Sequence, residues 1–240
     1  MKEYKIGYIP EWATRDETNW SPFNQVFKYG VNVLKDGFDG VDALLLWGGT
    51  DIWSGYYNEE PIQNNQCGTT PSKRDDAEYR AMLYAKARNI PIIGVCRGAQ
   101  FMCAFDGGRI IQHTTGHRNG PHTMTCIKGH NGIYGEEVME ISTSSCHHQM
   151  MYPYDIPHQL LGWSSERLSQ CYLANPKDKS SDKMFDLMLD KPEPEIVYFP
   201  RIKGLGIQGH PEWMGINTPF VEYCNQLVVD FLLTEEKVEA

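Results

Sequence analysis

The period of the apolar positions changes several times along the chain. Lys5–Ile9 is a short apolar run and predicts a first strand. Across Pro22 to Leu34, the residues Phe23, Val26, Phe27, Val31 and Leu34 fall at helical spacing, which predicts an amphipathic helix closed by Gly37 and Gly40. Ala43–Trp47 is almost continuously apolar, as in a strand buried on both faces, and Gly48-Gly49 follows it. Asp51–Lys73 is crowded with Asn, Gly and Pro and predicts a long loop, after which Asp75 to Arg88 has a helical pattern. Pro91–Val95 predicts another buried strand, stopped at Cys96-Arg97-Gly98, and Gly98 to Phe105 resumes the helical period. This alternation implies right-handed crossovers and a parallel sheet.

The second half is more mixed. Glu137–Ser142, Leu160–Trp163, Glu195–Tyr198 and Leu205–Gln208 predict strands. Pro219–Leu233 predicts a closing helix, with Thr218 as N-cap and Pro219 in its first turn. Asn175–Glu195, rich in Lys, Asp, Glu and Pro, is expected to be an exposed insertion or loop with a short helix at Met184–Leu189.

Composition narrows the class. The chain has 240 residues, 41% hydrophobic and 22% charged, which fits a globular protein and not a disordered or membrane-embedded one. No uninterrupted apolar run exceeds that of Ala43–Trp47, far below the roughly 20 residues of a spanning helix. The start, Met1-Lys2-Glu3-Tyr4-Lys5, does not lead into a secretory segment, so a cytoplasmic location is expected. A formal charge of −9 with no basic block argues against nucleic acid as a partner. The seven cysteines are odd in number and include no Cys-x-x-Cys pair, so free thiols are expected rather than a disulfide framework or zinc ribbon.

One cysteine stands apart. Ile93-Gly94-Val95-Cys96-Arg97-Gly98-Ala99-Gln100 places Gly-x-Cys-x-Gly between a buried strand and a helix, the setting of a nucleophile elbow. Its glycines remove side chains where a tight strand-to-helix turn would crowd them. The thiol then sits at a helix N-terminus, whose positive end favours a thiolate. A base and an orienting acid are offered by Gly209-His210-Pro211-Glu212-Trp213, just after the last predicted strand. Gly48-Gly49 can present a bare backbone N–H, and the N–H of Arg97 would be the second donor of an oxyanion hole.

These residues resemble the class I glutamine amidotransferase superfamily, most closely its γ-glutamyl hydrolase and γ-glutamyl-γ-aminobutyrate hydrolase branch of peptidase C26 type. The resemblance rests on Trp47-Gly48-Gly49-Thr50-Asp51-Ile52 through Tyr57, on Cys96-Arg97-Gly98-Ala99-Gln100, on Asp106-Gly107-Gly108 through Gln112-His113, on Ser144-Ser145-Cys146-His147-His148-Gln149 and on Gly209-His210-Pro211-Glu212. It implies one flavodoxin-like α/β domain over residues 1–240, with a mostly parallel sheet and helices on both faces. It further implies Cys96 as nucleophile, His210 as base, Glu212 as orienter, and Gly49 and Arg97 as oxyanion donors. Gly48, Gln100, Ser145 and His147 would line the γ-glutamyl pocket. The implied reaction is hydrolysis of a γ-glutamyl amide through a γ-glutamyl thioester, with no cofactor.

The chain departs from the family pattern at Trp47, at Thr143-Ser144 and in the 175–195 segment. Rival readings are a glutaminase component that hands ammonia to a separate synthetase, a silent binding module, and a cysteine variant of the α/β-hydrolase fold. The resemblance leaves a synthetase partner and a homodimer open. His113, His117, His122 and His130, with His147-His148 nearby, match no compact metal-ligand spacing. They are expected to be solvated residues of a Gly-containing loop, so no metal is expected.

Overall fold

The computed structural model describes residues 2–9, 20–118, 120–130, 132–175, 188 and 190–234. A nine-stranded mixed sheet runs in the order β2-β1-β3-β4-β13-β12-β10-β7-β8. Its strands are β1 (Tyr4–Tyr8), β2 (Phe27–Asn32), β3 (Ala43–Leu46), β4 (Ile92–Val95), β7 (His122–His130), β8 (Ile133–Thr143), β10 (Gln159–Ser164), β12 (Pro194–Phe199) and β13 (Gly204–Ile207). Short strands β5 (Arg109–Ile111) and β9 (Met150–Tyr152) pair with each other, as do β6 (His113–Thr114) and β11 (Tyr172–Leu173). The pairs from β2 to β13 are parallel, and those from β13 outward to β8 are antiparallel.

The buried strands carry apolar side chains on both faces. In β3, Leu44 and Leu46 join one apolar cluster while Ala43 and Leu45 join the other, as the twofold period of a strand requires. Helices α2 (Lys73–Ala87) and α3 (Arg97–Phe105) cover the first face with Met82, Ala85, Phe101 and Met102; α4 (Pro219–Leu227) covers the second with Phe220, Tyr223 and Leu227. A capping box starts α2: Ser72 Oγ accepts from the Asp75 N–H at 3.1 Å, and Asp75 Oδ2 accepts from the Ser72 N–H at 2.8 Å.

Three expectations need correction. The 22–34 segment is not one helix: a 3₁₀ turn at Phe23–Gln25 leads into edge strand β2, and α1 is only Val33–Asp36. Parallel pairing with β1 overrides a helical spacing that short apolar segments satisfy equally well as strand. The histidine-bearing stretch is not a solvated loop: His113 opens β6, His122 opens β7, and His117 is fully buried. The end of the 175–195 segment is also not exposed, since Glu193 and Glu195 are buried; the helix expected at 184–189 falls, apart from residue 188, outside the described residues. The closing helix ends at Leu227 and widens into a π-helical turn over Val228–Leu233.

Candidate active site

The carboxyl ends of β3, β4 and β13 lie side by side, with Leu46 opposite Gly94 and Val95 opposite Ile207. Gly48, Cys96 and His210 therefore leave the sheet at one edge, where open parallel sheets bind ligands. Cys96 adopts φ 50°, ψ −105°, between the last residue of β4 and the first of α3. Its N–H still donates to the Ile207 carbonyl at 2.7 Å, and its carbonyl already accepts from the Gln100 N–H at 3.1 Å. Strand and helix are thus joined through a single strained residue.

The flanking glycines are needed sterically. A Cβ on Gly94 would lie 2.6 Å from the Gly98 carbonyl group, and one on Gly98 would meet the Leu46 carbonyl. The first turn of α3 is therefore packed directly on the β3 and β4 backbones.

His210 Nδ1 lies 2.7 Å from Glu212 Oε1, and its other side faces Cys96. A Cβ on Gly48 would fall 2.9 Å from His210 Cε1 and 3.4 Å from Cys96 Cβ, so glycine there allows the imidazole and thiol to meet. Burial works against a charge on this imidazole, but hydrogen bonds with Cys96 and Glu212 outweigh it and lift His210 to about 10. Trp213 stacks flat on the ring, with centroids 3.7 Å apart, while remaining exposed. Ser144 fastens the His210 backbone twice: its Oγ accepts the His210 N–H at 2.9 Å and donates to the His210 carbonyl at 2.6 Å. The sequence shows Ser144 only as a departure from a pattern.

Arg97 is buried, and its guanidinium ion-pairs with Asp75 and Glu78 of α2. Arg74 Nε bonds the other Glu78 oxygen at 2.8 Å, and its Nη2 donates to the carbonyls of Trp47 at 2.8 Å and Gly48 at 3.0 Å. A trans peptide points its C=O and N–H in opposite directions. With the Gly48 carbonyl held by Arg74, the Gly49 N–H faces away from that guanidinium. No contiguous pattern in the sequence marks this quartet.

The remaining candidate residues form a braced wall. Gln100 Nε2 donates to the Gln149 carbonyl at 2.9 Å, and Ser145 Oγ donates to the His117 carbonyl at 2.6 Å. His147 is buried and stacks on His117, with Nδ1 2.8 Å from the Gln149 carbonyl; burial and then neighbouring His117 push it down to about 3, so it is neutral. His148 Nε2 pairs with Asp51 Oδ1 at 3.0 Å, tying this wall to the loop after Gly49. Deeper still, His117 sits between Glu193 and Glu195.

The model of the peptidase C26 family matches residues 26–158, more than half of the chain. The chain belongs to the peptidase C26 family. This C26 protein thereby falls within the class I glutamine amidotransferase-like superfamily. It is 40% identical over 79 residues to a putative glutamine amidotransferase-like protein, YvdE, of Lactococcus lactis subsp. lactis, covering 33% of each chain. It is 22% identical over 207 residues to the glutamine-hydrolyzing GMP synthase subunit of Methanopyrus kandleri, covering 84% of this chain and 90% of that one. The match thus spans only about a third of the first of these relatives. Among solved structures, a putative GMP synthase subunit from Thermoplasma acidophilum superposes with a TM-score of 0.57 at 16% identity, covering 97% of this chain and 94% of the other. The fold of this C26 protein is therefore the flavodoxin-like one of class I glutamine amidotransferases. No described helix is long and apolar enough to cross a membrane.

Proposed function

We propose that this protein is a cysteine hydrolase of γ-glutamyl amides, releasing glutamate together with ammonia or an amine. The observation that carries this reading is the contact of Cys96, on its strained elbow, with a His210 imidazole held 2.7 Å from Glu212. In this reading His210 takes the Cys96 proton and Glu212 stabilises the resulting imidazolium. Sγ attacks the γ-carbonyl carbon, and the tetrahedral oxyanion is held by the N–H groups of Gly49 and Arg97. Collapse breaks the C–N bond as His210 gives its proton to the leaving nitrogen. Water, deprotonated by His210, then hydrolyses the thioester and returns the thiol. Gly48, Gln100, Ser145 and His147 shape the wall that receives the glutamyl group; the bonds of the last three brace the 145–149 backbone. Trp213, exposed against His210, borders the path of the leaving amine.

The isolated protein is expected to release glutamate from L-glutamine or γ-glutamyl-γ-aminobutyrate. A glutamine-like diazoketone is expected to label Cys96, as located by peptide mass spectrometry. A label on any other residue refutes the mechanism. The similarity to a GMP synthase subunit over most of both chains favours one alternative, a glutaminase that feeds a separate synthetase. Glutamate release that starts only when such a synthetase is added would select it.

Arg74 acts here as a positioning residue. Arg74→Met is expected to lower kcat by about 100-fold, comparable to losing an oxyanion donor, with KM changed by no more than a few-fold. Steady-state kinetics on variant protein of verified melting temperature checks this. An unchanged kcat would show that the Gly48–Gly49 peptide holds its orientation alone.

A further inference from the structure

Behind the 145–149 wall lies a cluster that the proposed reaction does not use. His117 comes from the loop between β6 and β7, His122 from the start of β7, and Glu195 from β12, two strands away in the sheet. One nitrogen of each histidine and a carboxylate oxygen of Glu195 lie within 4.8 Å of one another. His122 Nε2 is 3.0 Å from Glu195 Oε1, and His117 Nδ1 is 3.3 Å from it. Donors bound to one tetrahedral zinc ion at about 2.0–2.1 Å stand about 3.3 Å apart.

Three further features fit an ion. A buried atom is left over: Glu195 Oε2 has no hydrogen-bond partner among the described residues, although Glu195 is 1% exposed. Such orphaned groups are rare because each costs the desolvation of a polar atom. The second nitrogen of His117 is also already committed. Its Nε2 lies 3.1 Å from Glu193 Oε2, and Glu193 is itself fixed by the N–H groups of Leu168 at 2.9 Å and Ser169 at 3.0 Å and by the Tyr172 hydroxyl at 2.6 Å. A carboxylate that orients a histidine from behind, leaving the other nitrogen for a cation, is the usual support of a metal ligand. Finally, Glu193 and Glu195 bring two carboxylates into the interior against His117, a charge that one divalent cation would match. A surface cleft lined by His122, Glu140 and Glu166 supplies an acidic approach to the one ligand that is not fully buried.

We propose that His117 Nδ1, His122 Nε2 and the Glu195 carboxylate bind one zinc-class divalent cation, with Glu193 orienting His117. Two imidazoles and one carboxylate suit zinc better than calcium or magnesium, which prefer all-oxygen sites. Its role follows from the His117 carbonyl, which accepts both Ser145 Oγ at 2.6 Å and the His147 N–H at 3.0 Å. By pinning the His117 loop to β7 and β12, the ion would hold the wall of the γ-glutamyl pocket. The site itself does not depend on the proposed activity.

The test uses the full chain carrying Cys96→Ala, which removes the reactive thiol as a competing ligand. After removal of metal with a chelator, Zn²⁺ is titrated against a chromophoric competitor, and Co²⁺ is added separately to read coordination from its visible bands. One equivalent of Zn²⁺ is expected, with a higher melting temperature and a four-coordinate Co²⁺ spectrum free of thiolate charge transfer. His122→Gln, at the cleft, is expected to abolish stoichiometric binding. Glu193→Gln keeps all three ligands and is expected to weaken binding by about 10–100-fold. Failure to bind one equivalent, a thiolate band, or binding unchanged in a folded His122→Gln protein would overturn the proposal.

Discussion

Replacing Cys96 with alanine is expected to reduce glutamate release by about 10⁴-fold or more, the usual cost of removing a covalent nucleophile. The fold should not change. Cys96 is 6% exposed, and alanine keeps the Cβ at φ 50°, ψ −105° without adding volume. The strain therefore remains in Cys96→Ala and is relieved only in Cys96→Gly, where no Cβ meets the backbone. Cys96→Gly is expected to be as inactive as Cys96→Ala and about 1 kcal/mol more stable, a rise of roughly 2–4 °C for a chain of this size. Parallel kinetics and calorimetry on both variants check this. Activity that survives either substitution would remove Cys96 from the reaction. Equal melting temperatures would show that the elbow stores no strain.

The largest loss of stability is expected from Glu78→Ala. Arg97, Asp75 and Glu78 are each no more than 3% exposed, and Arg74 closes the group through Glu78. Two guanidinium groups and two carboxylates balance one another, so deleting Glu78 leaves an uncompensated buried cation. Breaking such a pair costs about 3–5 kcal/mol, a fall in melting temperature on the order of 10 °C. Removing both partners should cost much less: Arg97→Met with Glu78→Leu leaves Arg74 and Asp75 as the remaining opposite charges. Recovery of most of the lost stability in that double variant, measured as a double-mutant cycle, separates charge imbalance from simple loss of packing. A Glu78→Ala protein that melts within 1–2 °C of the parent would mean that water reaches the quartet. Because Arg97 directly follows Cys96, the proposed nucleophile, and Arg74 grips the Gly48 carbonyl, this quartet also links the elbow to the proposed oxyanion strand.

The residues gathered at the sheet edge were legible where their signal is local. Gly94, Cys96 and Gly98 are visible within five residues because the crowding that demands glycine arises in the turn itself. His210 and Glu212 are two residues apart, so sequence alone puts them in reach of each other. Strands β3, β4 and β13 were legible because burial on both faces leaves an uninterrupted apolar run. Helix α2 was legible from its pattern, although the capping box at Ser72 starts it at Lys73, two residues before the expected Asp75.

What escaped the sequence depends on pairing over distance. Phe27–Asn32 is a strand only because β1 offers it a partner, and its own spacing is equally that of a helix. Strand β7 and the buried histidines were misplaced for the same reason. His117 meets Glu193 across 76 positions, and His122 meets Glu195 across 73. No ligand spacing within a short window can reveal a cluster assembled by sheet order. Ser144 against His210 and Arg97 against Asp75 and Glu78 are contacts of the same kind. Sequence alone determined the elbow, the neighbouring His210–Glu212 pair and the alternation of buried strands, because steric and hydrophobic constraints act between near neighbours. Tertiary structure alone decided which charges and imidazoles are buried together, because their partners are chosen by strand order and register.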